Sequence, residues 1–466
     1  MAPETVDHKE KVDIDVEDVD KGAVPADTNS VTKPAGLADL DGIQRSWSLR
    51  TLVVIWTFAL LLSFSTNLNN QTSASFTSYA TSDFASASLL GTITVVQAVA
   101  SSVALQPLAR LADVYGRFEM FLFSVMLITI GEIMTASSKT VSVYAGAQVF
   151  WAFGYIGISL MLQILAGDSS DMYNRAIFSA IPLAPSIITC WIAGPVAAGI
   201  LKSTWRWGFG MFAVMIPALS LPLLMSLYIN KRKGTQLRKA EGTYVPVNHV
   251  QNFLQLDPLG LLLLAAGLSL LLIPISLASS NTSTWKEGHT IAELVVGGVC
   301  LLALPLWETK FARWPVFPKT IFNNRTVVFG LLAMVVNYAG LYLLQSYLLY
   351  YEMVAADLSV NAATNLYMLI PFGGSLGQFL SGFVVKYLKR YKWVVVSGYA
   401  MIVLGMGLSY KYIDAHGHMA PLVVAQLIAG LGAGVIATTQ FGIQASVSQA
   451  GECLKALLSN NPVPEE

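Results

Sequence analysis

Charged side chains are scarce in this sequence. They make up 12% of its 466 residues, whereas an ordinary soluble domain carries about 25%. Hydrophobic residues account for 54%, and the mean hydropathy is +0.58. A chain of this composition is not built to fold in water. Its formal net charge is +0, which argues against a nucleic-acid partner, because phosphate binding needs a surplus of Lys and Arg on one face.

Cysteine is equally scarce. The three cysteines, Cys190, Cys300 and Cys453, lie far apart, and their spacing indicates neither a disulfide framework nor a zinc site. The sequence also lacks a G-x-x-x-x-G-K-[ST] phosphate loop, an H-E-x-x-H motif, a C-x-x-C motif and a nucleophile elbow. It therefore predicts neither an ATP-driven pump nor an enzyme, and we expect no catalytic residue, resident metal or cofactor. Any transport would draw on an ion gradient.

Long apolar runs dominate the chain after its first segment. Residues 1–47 are acidic and have no apolar periodicity, which predicts a disordered cytosolic tail. About twelve runs of roughly 20 residues follow, the length a helix needs to cross a bilayer. Backbone groups cannot stay unpaired in lipid, so we expect an all-α polytopic membrane protein. Lys and Arg favour alternate loops roughly four to one, which predicts a cytosolic amino terminus.

An internal repeat indicates the domain organisation. The loop after the second run and the loop after the tenth share their charge pattern, and Ala147-Gln148 matches Ala425-Gln426 at nearly the same separation. A duplication of this kind predicts paired bundles with a site between them. We expect a six-helix bundle at 48–230, a basic cytosolic loop at 231–257, two inserted helices at 258–308, a partial bundle of four helices at 309–448 and a polar tail at 449–466.

The loop after the second run carries a family resemblance. Residues Ala109 to Arg117 read A-R-L-A-D-V-Y-G-R, which resembles the major-facilitator pattern G-x-L-A-D-R-x-G-R at Asp113, Gly116 and Arg117. The resemblance implies an electrostatic latch that holds one conformation until substrate binds. A solvated cytosolic turn that obeys the positive-inside rule is the alternative.

Two further segments are similar to major-facilitator motifs. Gly194-Pro195 with Gly199 resembles the core of the antiporter motif, in which small residues permit close helix contact, although plain small-residue packing explains it equally well. Trp205-Arg206-Trp207-Gly208-Phe209 resembles the segment that opens helix 6 in fourteen-helix major facilitators. The alternative for that segment is an aromatic anchor at the membrane interface.

Less common segments resemble the fungal siderophore-iron transporters. These are Gly131 to Ile133, Gly167 to Ala176, Gln255 to Gly260 and Gly442 to Ser448, and Gln148 replaces the Arg usual in drug antiporters. The resemblance implies proton-coupled uptake of ferric siderophores across the plasma membrane or an endosomal membrane. A proton-coupled exporter of small organic compounds stays open as an alternative, as does a membrane protein that no longer transports. The sequence selects neither the siderophore nor the direction of transport.

The resemblance ends before the chain does. Family members continue into helices 13 and 14, whereas a polar tail follows Ser448 here and no further apolar run of spanning length is present. We therefore expect a chain truncated at its carboxyl end, with one wall of the central cavity open to lipid. On this hypothesis the 466-residue chain transports poorly by itself.

Acidic residues inside the apolar runs are rare. Glu132 is the clearest, and a carboxylate there is a functional candidate because its burial is costly unless it is protonated or paired. It can couple proton entry to transport, or it can be a hydrated residue near the outer end of helix 3. Asp168, Asp171 and Arg175 form a predicted charged cluster between helices 4 and 5, for which an interfacial salt-bridge group is the simpler interpretation.

Polar and aromatic residues of the apolar runs are candidates for lining a central cavity. They can hydrogen-bond to a bulky chelate or stack on it, although most such residues in polytopic proteins serve helix packing. The candidates are Asn67, Gln97, Trp151, Tyr155, Gln163, Asn337, Tyr342, Gln345 and Tyr367.

Overall fold

Regular structure in this computed structural model is helical throughout the described residues, as burial in lipid requires. The structure describes residues 49–84, 90–169, 175–240, 253–254, 256–278, 284–312, 325–352, 360–388, 391–413, 419–437 and 439. Twelve of its helices are long and apolar enough to cross a membrane, which confirms the predicted count. In chain order they are α1 Leu49–Asp83, α2 Leu90–Val114, α3 Arg117–Ser137, α4 Val141–Asp168, α5 Ala184–Leu201, α6 Trp205–Ala240, α7 Pro258–Ala278, α8 Gly288–Lys310, α9 Arg325–Tyr350, α10 Leu369–Leu388, α11 Tyr391–Tyr412 and α12 Met419–Ile436.

Short helical segments precede three of these helices. Arg175–Ala180 and the 3₁₀ turn Ile181–Leu183 lead into α5, the 3₁₀ turn Thr284–Lys286 leads into α8, and Val360–Tyr367 leads into α10. Pro182 lies in the 3₁₀ turn and Pro185 is the second residue of α5, and proline disfavours the helical conformation of the residue before it. Helix 5, predicted to begin near residue 176, is therefore divided into two pieces.

Helix α6 differs from its prediction at its carboxyl end. Residues 231–240 belong to α6, although the sequence predicted a loop from 231 onwards. The added segment is rich in Lys, Arg and Gln, which favour helix outside the membrane as well. Lys231 also pairs with Glu119 at the start of α3, and this contact holds the extension against the neighbouring helix.

A core of large side chains fills the space between α1, α3, α4 and α6. Phe76, Tyr144, Trp151 and Phe209 are among the largest fully buried residues. The rings of Phe76 and Phe209 meet edge to face with their centroids 5.6 Å apart, an arrangement that aromatic pairs prefer. This core ties the first six helices together.

Helix α12 packs against α10 and α11 by a different kind of contact. A Cβ atom on Gly430 would lie 2.6 Å from the carbonyl oxygen of Ile370, and one on Gly405 would lie 2.6 Å from the amide nitrogen of Ala429. The backbones of these helices therefore touch directly, which is how small residues join helices in lipid. The apolar side chains buried together at this end of the chain are Leu341, Ile402 and Ile436.

Two further groups of contacts involve α7 and α8 and the boundary between α1–α6 and α10–α12. Helices α7 and α8 pack against each other, and α7 also contacts α2. Helix α5 contacts α10, where the rings of Trp191 and Phe372 meet edge to face at 5.5 Å. Apolar side chains such as Val214, Leu302 and Val336 point outward and are at least 70% exposed, as expected for faces in contact with lipid.

Candidate functional site

A carboxyl–amide pair lies inside the first six helices. Glu132 of α3 is 0% exposed, and its Oε1 accepts a hydrogen bond from Nδ2 of Asn69 on α1. Within the described part of the chain, Oε2 of Glu132 and Oδ1 of Asn69 have no hydrogen-bond partner. The structure therefore places Glu132 in the protein interior, away from the water that the simpler sequence-based interpretation required.

Helix α4 closes the other side of this pair. A Cβ atom on Gly131 would lie 2.6 Å from the backbone nitrogen of Trp151, so only glycine lets α3 and α4 approach this closely beside Glu132. One turn further, Nε2 of Gln148 donates to Oγ1 of Thr135 over 3.4 Å. Glu132 consequently faces neutral polar groups from α1 and α4, and a neutral carboxyl suits such surroundings better than a charged one.

An aromatic wall extends from α4 towards α9. The rings of Trp151 and Tyr155 stack with their centroids 5.0 Å apart and their planes 5° from parallel. Trp151 and Tyr155 therefore form a stacked pair that offers a flat surface to a bulky organic group. Tyr342 of α9 lies within electrostatic range of Tyr155, and Tyr367 lies within electrostatic range of Tyr342.

A small polar cavity adjoins this wall. Asn67, Tyr155 and Gln163 line it, together with residues that precede α5, and its volume is about 30 Å³. Nδ2 of Asn67 donates to the carbonyl oxygen of Ser63 over 2.8 Å. A volume of this size admits water and excludes an organic chelate.

Three predicted cavity residues stand apart from these groups. Gln97 is half-buried on α2, Gln345 is half-buried on α9, and Asn337 is buried on α9. Oδ1 of Asn337 has no hydrogen-bond partner among the described residues. Periodicity alone could not separate these three from the residues that face the aromatic wall.

The charged residues at the predicted cytosolic end form a joint between three helices. Arg117, whose side chain is 10% exposed, pairs with Asp113 of α2 at 3.3 Å and with Asp168 of α4 at 3.4 Å. Its Nη1 also donates to the carbonyl oxygen of Ala112 over 2.8 Å. Gly116, just before α3, has φ of +114°, a conformation that favours glycine. The motif residues Asp113, Gly116 and Arg117 thus meet in one place.

One member of the predicted charged cluster, Asp168, forms a contact that the sequence analysis did not predict. Asp168 pairs with Arg117, which lies far from it in the chain. Asp171 lies outside the described residues, as does the side chain of Arg175. The sequence analysis missed a second pair in this region, between Glu119 and Lys231; the signal for it was an acidic residue in the first turn of α3, where the helix dipole favours negative charge.

At the predicted outer end, Arg206 joins α6 to α3. Its Nη1 donates to the carbonyl oxygens of Ala136 and Ser138, over 3.1 and 2.5 Å. Nε1 of the neighbouring Trp205 donates to Asp83 at the end of α1 over 3.2 Å. A cation beside the last carbonyls of α3 stabilises that helix end, so this segment fastens three helices rather than only anchoring at the interface.

The glycine–proline motif in α5 shows less contact than expected. Gly194 is half-buried and Pro195 is exposed. A Cβ atom on Gly199 would meet no described atom within 4 Å. Close helix packing at Gly199, the predicted role of this motif, is therefore not observed among the described residues.

The chain has clear relatives among known proteins. A model of the Major Facilitator Superfamily matches residues 56–452. MFS siderochrome iron transporter C of Aspergillus fumigatus is 34% identical over 93% of this chain and 73% of its own length. Siderophore iron transporter mirC of Emericella nidulans is 35% identical over 96% of this chain and 75% of its own length.

A solved structure shares the fold. It is titled the MFS proton:xylose symporter XylE bound to 6-bromo-6-deoxy-D-glucose, with a TM-score of 0.51 and 14% sequence identity, and the match covers 87% of this chain and 82% of that one. At this level of identity the likeness concerns the fold alone.

Proposed function

The chain belongs to the Major Facilitator Superfamily and, within it, to the siderophore iron transporters of fungi, and from that premise we propose that it carries ferric siderophores across a membrane with protons. It is a multi-pass membrane protein of a transporter family. The fully buried pair of Glu132 and Asn69 is the observation that carries the proton-coupled part of this proposal.

The proposed substrate is inferred from the names of the relatives, and the aromatic wall has surfaces that could bind it. Both relatives described above are named for siderophore iron transport. Trp151, Tyr155, Tyr342 and Tyr367 present rings and hydroxyl groups from helices at both ends of the chain. Such a surface can stack on an organic chelate and form hydrogen bonds to it. In this proposal the protein binds the chelate, and the iron crosses the membrane as part of that substrate.

Glu132 supplies the proposed coupling. A charged carboxylate in a site without water is unfavourable, and the side chains that interact with it, Asn69, Trp151 and Tyr144, carry no formal charge. Glu132 therefore binds a proton when its site is closed and releases it when the site opens to water of low proton activity. Substrate transport is coupled to proton binding and release at Glu132 if the same conformational change opens the substrate site and the proton site.

The orientation and the moving parts complete the proposal. The charge asymmetry of the loops supports a cytosolic amino terminus, in the plasma membrane or an endosomal membrane. We take α1–α6 and α9–α12 as two bundles that rock about the aromatic wall, with α7 and α8 inserted between them. The joint of Arg117 with Asp113 and Asp168 then serves as the latch at the cytosolic end of the first bundle.

Uptake by reconstituted protein tests the proposal. The full chain is placed in liposomes, a pH gradient is imposed, and entry of a radiolabelled ferric trihydroxamate is followed. We expect accumulation with the gradient and equilibration without it, whereas the sequence-based hypothesis of a chain that transports poorly by itself predicts little of either. Liposomes without protein report the background. Gradient-driven movement of an organic cation instead of the ferric chelate would favour the exporter. Folded protein that moves neither compound would contradict the proposal and favour the non-transporting alternative.

A further inference from the structure

A second buried carboxyl–amide pair lies at the other end of the chain. Glu352 follows the last residue of α9 and is 0% exposed. Its Oε1 accepts a hydrogen bond from Nε2 of Gln426 on α12 over 2.7 Å, and Gln426 is also 0% exposed. Oε2 of Glu352 and Oε1 of Gln426 have no partner among the described residues. Four polar atoms thus meet in the interior, and two of them are unsatisfied.

The same pattern occurs at Glu132. There, the amide nitrogen of Asn69 donates to one carboxyl oxygen, while the second carboxyl oxygen and the amide oxygen lack partners. One added proton on the free carboxyl oxygen supplies the missing donor, because a protonated carboxyl has an O–H group that can turn to the amide oxygen. The acid and the amide then share two hydrogen bonds, and no buried oxygen is left unsatisfied.

The two pairs occupy related places in the repeat. Gln426 is the eighth residue of α12, and Gln148 is the eighth residue of α4. Gln148 bonds to Thr135, one turn from Glu132 on α3. The matched glutamines thus lie near a buried carboxyl in both halves of the chain, although Gln426 binds its carboxyl directly and Gln148 binds a neighbour of Glu132.

Within the described part of the chain, no cation offsets the burial of Glu352. Gln426 is its hydrogen-bonding partner, and α12 contains no ionisable residue. Lys411, near the predicted outer end of α11, is exposed and lies over the ring of Tyr412. Tyr367, before α10, interacts electrostatically with Glu352. The other ionisable side chains that the structure describes on α9 and its extension, α10 and α11 are Arg325, Tyr338, Tyr342, Tyr351, Tyr387, Lys392, Tyr399, Tyr410, Lys411 and Tyr412.

We propose that Glu352 and Gln426 form a second proton-binding site, so that this conformation holds one proton on Glu132 and one on Glu352. The step is the formation of an O–H bond at Oε2 of Glu352 with a proton from water, and it needs no other reactant. Proton binding by the pair stands independently of the cargo, whereas its part in driving transport rests on the proposed function. In that part, the proton adds a second hydrogen bond between Glu352 and Gln426 of α12 to the one that the amide already donates, and its loss removes that second bond and leaves a charged carboxylate in a buried site.

Infrared difference spectroscopy of the purified full chain tests the site directly. Spectra at acidic and alkaline pH, in water and heavy water, reveal the C=O stretch of protonated carboxyl groups. We expect Glu352→Gln to lose one band and Glu132→Gln to lose another, with both absent from the double variant. Glu293→Gln, a half-buried glutamate of α8, is the matched control and should keep both bands.

A second variant covers the case in which Glu352→Gln fails to fold. Gln426→Leu keeps the carboxyl and removes its amide partner, so the band assigned to Glu352 should shift while that of Glu132 stays in place. Retention of both bands in Glu352→Gln, or an unshifted spectrum in Gln426→Leu, would overturn the proposal. Loss of the band from a chain that does not transport would leave the site standing and contradict only the proposed function.

Discussion

Between α1 and α6 the described interior is filled by aromatic rings, whereas α10, α11 and α12 meet through glycines whose backbones touch the next helix. The ring of Phe209 lies next to three other rings, those of Phe76, Tyr144 and Trp205, with centroid separations of 5.6 to 6.3 Å. Gly434, in contrast, lies against the backbone of α10 at Gly374. In lipid, helices associate by packing and hydrogen bonding because apolar burial gains little. Both sets of helices are therefore held together by packing, the first through aromatic side chains and the second through backbone contacts at glycines.

The difference matters for the two buried carboxyls. Glu132 is enclosed by a helix group with many interlocking side chains, so its site should open to water through movement of whole helices rather than through rearrangement of single side chains. Glu352 joins α9 to α12, beside contacts that consist mainly of backbone against backbone. Contacts of that kind lack interlocking side chains, and we expect rearrangement to be concentrated there.

The largest effect should come from removing an aromatic ring from the first core. Phe209→Ala deletes a 0% exposed side chain and leaves a cavity among three rings, which should lower the free energy of unfolding by about 3–5 kcal/mol. Thermal unfolding in detergent, followed by tryptophan fluorescence, measures the shift. Phe329→Ala removes a ring that is 68% exposed and should change the midpoint little. Equal shifts in the two variants would contradict the contrast drawn above.

A smaller loss is expected at the glycine contact. A Cβ atom on Gly434 would lie 2.5 Å from the amide nitrogen of Gln378 and closer still to the carbonyl oxygen of Gly374. Gly434→Ala should therefore push α12 from α10 and lower stability by about 1–3 kcal/mol. Gly407→Ala is its control, because a Cβ there would meet no described atom within 4 Å. The same melting assay applies, and a Gly434→Ala protein as stable as the control would show that this contact is not tight.

A still smaller effect is expected at the joint of charged residues. Arg117→Lys keeps the cation but loses the planar group that reaches Asp113, Asp168 and a backbone carbonyl at once. The cost should be about 1 kcal/mol, because one carboxylate is partly exposed. Hydrogen exchange should rise at the adjoining ends of α2, α3 and α4. Arg232→Lys, at an exposed site on α6, should leave exchange there unchanged; the same rise in both variants would argue against the joint.

Orientation is tested without disturbing the fold at all. The sequons Asn281-Thr282-Ser283 and Asn324-Arg325-Thr326 begin outside the described residues, and the charge asymmetry assigns them to opposite sides of the membrane. We expect a sugar on Asn281 and none on Asn324 after expression in a eukaryotic host. Mass mapping reads both sites in one experiment. Sugar on Asn324 with a bare Asn281 would contradict a cytosolic amino terminus.

Much of the fold was predictable because membrane-spanning helices can be recognised in a sequence by their length and apolar composition. The twelve spans and the family resemblance are confirmed. The extension of α6 to Ala240 was not predicted. A basic segment after an apolar run is typical of a cytosolic loop, and the sequence does not show which residue it contacts. That partner, Glu119 for Lys231, lies on another helix and no local pattern reveals it.

The candidate site was predictable only in part, for a related reason. Glu132 stands out because an acidic residue in an apolar run is rare, but its partner Asn69 is one of several polar residues in α1. Gln426 appeared in the repeat as the match of Gln148, which marked the position without indicating its function. Glu352 lies at the end of a predicted helix, where an acidic residue is ordinary. Its burial depends on α12, so only the tertiary structure identifies it.

Proton coupling through Glu132 is the central claim, and one comparison tests it most directly. Proteoliposomes that contain wild-type protein or Glu132→Gln are assayed for accumulation of a ferric siderophore against an imposed pH gradient and for exchange of labelled against unlabelled chelate without one. We predict that Glu132→Gln keeps exchange and loses gradient-driven accumulation, because the neutral amide imitates a permanently protonated carboxyl. Accumulation by Glu132→Gln equal to that of the wild type would contradict the account.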